Sequence, residues 1–338
     1  MSKNIVICLD GTWNKQEEPE AEVNEETNVR SLYDICLNNA NEQFVYYDQG
    51  VGTHWYNRIR GGISGRGLAK NIREAYLKVA SHYEEEDKVF LFGFSRGAYT
   101  TRSLAGMIYS CGLLPQHKTT KNNVQKIFEI YQKRGKKDRR QCKATNITCP
   151  IEMIGVWDTV GALGIPITFF KKFTERFIQF HNTKLNPEVK SAYHAVAIDE
   201  QRESFKATLW DVTKKHEGQT VNQVWFAGVH SDIGGGYSEK HHSDIAFQWM
   251  LENAENHGLK LKPNHGYTFS PDISKDIHDS YKIYFGPKER RVATVSKTYT
   301  PKIHVSVKEK LEKCSDYKPL ALVDLKDHKT LAPYEIYE

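Results

Sequence analysis

Four largely apolar runs punctuate the chain, and each stops at a polar residue of a kind that hydrolases use. They are Asn4 to Leu9 before Asp10, Val89 to Phe94 before Ser95, Ile151 to Trp157 before Asp158, and Val224 to Val229 before His230. Near-continuous apolar runs of this length read as strands buried on both faces of a parallel sheet. Ligands of such sheets gather at the carboxyl ends of the strands, so the four termini are expected to converge, with Asp158 and His230 at consecutive strand ends. The fold class predicted is therefore α/β, a mostly parallel central sheet with helices on both faces, in a single domain over residues 1–338.

Two segments depart from this rhythm. From about 117 to 147 basic residues, Lys121, Lys126, Lys133, Lys137 and Arg140 among them, interleave with Ile127, Phe128, Ile130 and Tyr131. This pattern predicts an inserted helix, read either as a solvated face or as a surface for anionic lipid. From about 163 to 182, Phe169, Phe173, Phe177 and Phe180 recur at helical spacing. That stripe is either core packing or, lying between two candidate site residues, a cap with an apolar wall.

The run ending at Ser95 carries the most chemistry. Gly93-Phe94-Ser95-Arg96-Gly97 follows an apolar strand and leads into a small-residue helical pattern, the setting in which Gly-x-Ser-x-Gly forms a nucleophile elbow. A Cβ at Gly93 or Gly97 would collide with the neighbouring strand or helix. Ser95, Asp158 and His230 follow in the order Ser, Asp, His, the order of α/β-hydrolases. His230 is then the base that takes the Ser95 proton, and Asp158 the acid that orients the imidazole. An oxyanion hole is expected from the backbone N–H of Arg96 and an N–H of the Gly11-Thr12 turn. Asp10 is expected to shape that turn, and Asp232 to orient the loop of His230. His194 and His304, beside shorter apolar stretches, are the competing bases, and Asp158 has an alternative reading as a helix N-cap.

Other chemistries fit less well. Asp10-Gly11-Thr12 after a strand has the look of an aspartyl-phosphate motif, but the nucleophilic Asp would have to sit at Cys8. A metal site could draw on His230, Asp232, His241, His242 and Asp244, yet no tight two-His signature is present, so neither metal nor cofactor is expected.

At these residues the sequence resembles a known family. Leu9-Asp10-Gly11-Thr12-Trp13-Asn14, Tyr47-Asp48-Gln49-Gly50-Val51-Gly52-Thr53, Gly93 to Ala98, Gly155-Val156-Trp157-Asp158-Thr159-Val160-Gly161 and Gly228 to Tyr237 are similar to the catalytic domain of type VI secretion lipase effector family 1. Further stretches fit it, including His194 to Arg202 and Ile303 to Val307. The resemblance runs from about residue 3 to about residue 325. It implies an α/β-hydrolase-like fold, the Ser95, Asp158 and His230 triad, and a phospholipid or related lipid ester as substrate. The motifs alone imply only ester chemistry. A soluble carboxylesterase or thioesterase is the alternative within enzymes, and a catalytically weak scaffold of the same fold the alternative outside them.

Composition narrows the partners. Of the 338 residues 39% are hydrophobic and 26% charged, and no stretch approaches the roughly 20 apolar residues that span a bilayer. The start leads straight into a strand, which leaves no room for a signal peptide; synthesis in the cytoplasm is expected, and signal-independent secretion is compatible with it. The net charge of +5 is modest, and without a recognition motif no nucleic-acid partner is expected. The six scattered cysteines read as reduced thiols.

Overall fold

The computed structural model describes residues 2–11, 26–50, 65–133, 136–160, 185–202, 205–280, 300–322, 326 and 330–338. Within them eight strands form one sheet in which every neighbouring pair runs parallel. The strands are β1 (Asn4–Leu9), β2 (Gln43–Asp48), β3 (Lys88–Phe94), β4 (Ile151–Trp157), β5 (Val189–Ala197), β6 (Thr220–Phe226), β7 (Lys302–His304) and β8 (Glu335–Tyr337), in the spatial order β2-β1-β3-β4-β5-β6-β7-β8. The chain winds one way from β1 to β2 and the other way from β1 to β3. In open parallel sheets the crevice for a ligand opens at the carboxyl ends of the strands where the order reverses, here between Asp10 and Ser95.

Both faces of the sheet are covered, which is why its strands read as unbroken apolar runs. Ile5, Ile7 and Leu9 of β1 face a core shared with α2 (Gly65–His82), α3 (Arg96–Cys111) and α4 (Lys121–Gln132). Val6 and Cys8 face the opposite core, shared with α1 (Asn28–Ile35) and α7 (Ser243–Asn256). A third cluster joins Val196 and Trp225 to Ile303 of β7 and Val307 of α8 (Val305–Lys313). Each fully buried apolar side chain of this kind contributes about 1.5–3 kcal/mol. The strands are thus the rigid frame on which the loops at their carboxyl ends are mounted.

Two sequence expectations are revised, the adjacency of the acid and base strands and the single inserted helix. The acid and base strands are not neighbours, because β5 lies between β4 and β6. The chain beyond Pro263 supplies the last two strands of the sheet. The basic insertion forms two helices, α4 and α5 (Lys136–Thr145). These pack toward the far end of α3: Tyr131 donates its hydroxyl to Ser103 O at 3.0 Å, and Asn146 Nδ2 donates to Cys111 O at 2.8 Å. Lys143 pairs with Glu188, just before β5 begins, at 2.6 Å. A 16-residue helix is about 24 Å long, so α5 lies at the opposite end of α3 from Ser95. The Phe-rich segment falls on residues 161–184, outside the described residues. Among the described residues no helix is long and apolar enough to cross a membrane.

Candidate active site

The last residue of β3 is Phe94, and α3 starts at Arg96, so one residue makes the whole turn. Ser95 makes it with φ 57° and ψ −119°, a conformation that costs a non-glycine residue of order 1–3 kcal/mol. The surroundings hold it there. Its N–H donates to Trp157 O at 3.1 Å, and its carbonyl accepts from Tyr99 N at 3.3 Å. The start of α3 lies so close to the end of β1 that a Cβ on Gly97 would sit 2.0 Å from Leu9 O. That contact is why position 97 is glycine.

Ser95 Oγ lies 2.9 Å from His230 Nε2, and His230 Nδ1 lies 2.6 Å from Asp158 Oδ2. His230 opens the short helix α6 (His230–Gly234) just beyond β6, and Asp158 follows β4 with φ 35°. Asp158 is tied to β5 twice, its N–H donating to Ala195 O at 2.7 Å and its Oδ1 accepting from Ala197 N at 3.0 Å. With Oδ1 so engaged, Oδ2 is presented to the imidazole. Nδ1 then donates to the carboxylate, and Nε2 carries the lone pair that faces the Ser95 hydroxyl. The imidazole sits between Phe94, 4.6 Å away between centroids, and the edge of Phe205 at 4.9 Å. Burial pushes its pKa below the ordinary histidine value, while the Asp158 and Glu200 carboxylates oppose that shift. A ring kept neutral in this way is suited to accept a proton.

Asp10 and Gly11 close the other side of the crevice. Asp10 Oδ2 accepts from Thr27 Oγ1 at 2.5 Å and Tyr47 OH at 2.8 Å, and Oδ1 accepts from Gly11 N at 2.7 Å. Thr27 also caps α1, so one side chain ties that helix to the turn after β1. Burial raises the Asp10 pKa to about 6 against the pull of these donors. A Cβ on Gly11 would lie 3.2 Å from Ser95 Cβ, which places the bare backbone of this turn beside the serine. The Gly11 amide itself is turned to Asp10, so it does not face the crevice as an oxyanion donor. Thr12 lies outside the described residues. Arg96 begins α3, with its backbone amide at the positive end of the helix next to Ser95.

The competing histidines do other work. His194, fully buried on β5, accepts the Thr159 N–H at 3.0 Å and so props the turn after Asp158. His304 caps α8 through Ser306 N, and its ring stacks on Phe226 at 4.5 Å between centroids. Of the residues considered for a metal, Asp244 accepts from Tyr267 OH at 2.6 Å and Ser270 N at 2.7 Å, and His241 Nδ1 lies 3.0 Å from Ser270 O. Among the described residues no group of three or more His, Cys, Asp or Glu side chains is arranged to hold a metal.

Several residues at the site had no role in the sequence reading. Asp199 Oδ2 accepts from Gly228 N at 2.7 Å, and Glu200 Oε2 accepts from His230 N at 3.2 Å. Arg202 forks onto Glu200 through Nε at 2.9 Å and Nη2 at 2.8 Å, and its guanidinium lies 3.6 Å from the centre of the Phe205 ring. Asp232, expected to orient the His230 loop, accepts from Val229 N at 3.0 Å and pairs with His278 Nδ1 at 2.6 Å. The signal for Asp199 and Glu200 was a fifth apolar run, Ala192 to Ile198, that ends in two adjacent carboxylates.

Comparison with known proteins adds to this geometry. A family model described as "T6SS, Phospholipase effector Tle1-like, catalytic domain" matches residues 3–253. An uncharacterized protein of Saccharomyces cerevisiae is 30% identical over 235 residues, which cover 60% of this chain and 32% of that protein. The crystal structure of an uncharacterized protein from Pseudomonas aeruginosa superposes with a TM-score of 0.52 at 19% identity, covering 81% of this chain and 49% of that one, a likeness of fold. The Tle1 effector bound to the VgrG spike of the type 6 secretion system gives a TM-score of 0.41 at 19% identity, over 70% of this chain and 51% of that one. The chain spans about a third of the length of the yeast relative and about half of each structural neighbour.

Proposed function

Since the chain belongs to the family of Tle1-like phospholipase effector catalytic domains of type VI secretion, we propose that it is a serine-dependent hydrolase of phospholipid acyl esters. The single observation that carries the mechanism is the relay from Ser95 Oγ to His230 Nε2 at 2.9 Å and from His230 Nδ1 to Asp158 Oδ2 at 2.6 Å. In this reading Ser95 Oγ attacks the ester carbonyl while its proton passes to Nε2. The imidazolium so formed stays bonded to Asp158. The new oxyanion lies at the N-terminus of α3, within reach of the Arg96 amide. Collapse of the tetrahedral intermediate breaks the ester C–O bond, and the Nε2 proton goes to the departing alcohol oxygen. A water then repeats the sequence on the acyl-enzyme, giving its proton to Nε2 and releasing the fatty acid.

The substrate class rests on family membership, and the ester chemistry on the site itself. The basic helix α5 lies at the opposite end of α3 from Ser95, so contact with anionic lipid there would not by itself present an ester to the serine. The test is labelling with a fluorophosphonate probe alongside product analysis on phosphatidylglycerol and phosphatidylethanolamine vesicles. Wild-type protein should label and release fatty acid, and Ser95→Ala should do neither, with turnover down by about 10³-fold or more. Turnover of short soluble esters without any release from vesicles would replace the phospholipase by a soluble esterase. Undiminished turnover by Ser95→Ala would end the serine mechanism.

A further inference from the structure

Three successive backbone amides of the turn that carries His230 are each held by a different carboxylate, and two of these, Glu200 and Asp232, are buried. Gly228 N–H donates to Asp199 Oδ2 at 2.7 Å, Val229 N–H to Asp232 Oδ2 at 3.0 Å, and His230 N–H to Glu200 Oε2 at 3.2 Å. Asp232 belongs to α6 itself, and its reach back to Val229 is an ordinary way to cap a helix. Asp199 and Glu200 come from elsewhere, the carboxyl end of β5. Glu200 is completely buried, and besides the His230 amide it accepts from Arg202 N and Nε at 2.9 Å each, from Arg202 Nη2 at 2.8 Å and from Ser280 Oγ at 3.2 Å. Arg202 in turn lies over the Phe205 ring, which makes a T-shaped contact with the His230 imidazole.

We propose that Glu200, clamped by Arg202, is a positioning residue for the general base, fixing the His230 main chain and placing a second negative charge near the imidazole. This rests on the serine-hydrolase reading above. A buried carboxylate is costly to keep, and a neutral side chain of the same shape could accept the same amide bond. The charge therefore has a use beyond fastening the turn. When the Ser95 proton reaches Nε2 the ring becomes a cation, and a carboxylate held at the same residue's main chain stabilises it. Among the described residues, the groups that face His230 are Ser95 and Phe94 at the end of β3, Asp158 just beyond β4, Glu200 and Arg202 from the turn after β5, and Phe205. Burial lowers the His230 pKa most, Asp158 and then Glu200 raise it, and the opposing effect of Arg202 is smaller than that of Glu200. Burial alone would raise the Glu200 pKa, but the Arg202 fork outweighs it and keeps the carboxylate ionised. Losing the Glu200 charge must then move the His230 titration to lower pH.

The experiment is the pH dependence of kcat and kcat/KM on p-nitrophenyl butyrate for the wild type, Glu200→Gln and Arg202→Lys. Active sites are counted by fluorophosphonate titration, and folding is followed by thermal melting. Glu200→Gln keeps an oxygen for the His230 amide and removes the charge. Its kcat per titrated site should fall about 10- to 100-fold with KM changed by less than about threefold, and the acid limb of the profile should move to lower pH. Arg202→Lys keeps the cation but loses the fork, and should give a smaller loss in the same direction. A Glu200→Gln enzyme with wild-type kcat per titrated site and an unmoved acid limb overturns the proposal, because the role would then be structural only. Should Glu200→Gln not fold, Arg202→Lys decides alone, and an unmoved limb there overturns it as well. Failure of the wild type to label at Ser95 would instead remove the serine-hydrolase reading, and with it the base that Glu200 is said to position.

Discussion

Replacing Asp158 by Asn removes one charge and leaves the shape, and the structure says what must follow. Asp158 accepts two N–H groups, Ala197 N on Oδ1 and His230 Nδ1 on Oδ2. An asparagine offers one acceptor oxygen and one NH2 group. If the oxygen stays with Ala197, the NH2 faces Nδ1, which must then be the unprotonated nitrogen. The proton moves to Nε2, and Nε2 can no longer accept from Ser95. If instead the oxygen faces Nδ1, the Ala197 N–H meets a donor inside a fully buried site. Losing the charge-assisted bond accounts for a factor of about 10 to 100, at about 1.5–3 kcal/mol and 1.36 kcal/mol per tenfold. The wrong tautomer adds to this, and a total loss in kcat of about 10⁴-fold is expected. Folding should survive, because Asn tolerates the positive φ of 35° that Asp158 adopts. The assay is the pre-steady-state burst on a p-nitrophenyl ester, with the melting temperature as the control for folding. A folded Asp158→Asn enzyme within tenfold of the wild-type burst rate would refute the tautomer argument, and with it the role of Asp158.

Two further outcomes concern the frame of the site. Gly97→Ala would put a methyl 2.0 Å from Leu9 O and 2.6 Å from Asp10 C, backbone atoms with no room to yield, and should destabilise by about 3 kcal/mol or more in denaturant titration; an unchanged midpoint would mean that the elbow and β1 are not in contact. Burial raises the Asp199 pKa from 3.8 to about 7, so the folded state holds a proton that the unfolded chain has already lost. Stability from that proton is fully present below about pH 4 and is lost as pH rises through about 7, by roughly 4 kcal/mol in total. Asp10, raised to about 6, acts in the same direction. Asp199→Asn should flatten the fall in stability between pH 4 and 7, and a slope equal to that of the wild type would show that Asp199 is ionised throughout.

What could be read from the sequence follows from how each element is buried. Strands β1, β3, β4 and β6 were visible as apolar runs because both their faces are covered. Strand β5 shows only in part, as the run Ala192 to Ile198, because Lys190, Ser191 and His194 interrupt it, and His194 is polar for a reason only the fold reveals, its bond to Thr159 N. Strands β7 and β8 have three residues each, too few for any period to show. The same contrast holds at the site. Ser95 was legible because an elbow constrains its neighbours, and Asp158 and His230 because each ends an apolar run. Asp199, Glu200 and Arg202 act on backbone amides and on one another, and a carboxylate that accepts a distant main-chain N–H leaves no spacing rule in the sequence. The use of the Gly11 amide by Asp10 was hidden for the same reason.

Because all eight strands run the same way, the molecule has two ends with separate duties. Ser95, Asp158, His230 and the Asp10 turn all stand at the carboxyl ends, whereas α5 and its cations lie beside the amino ends of β4 and β5. Substitutions among the cations of α5 therefore fall at the end of the sheet away from the groups that meet at Ser95. The face that carries these cations and the crevice that carries Ser95 are, in this architecture, free to vary separately within one chain.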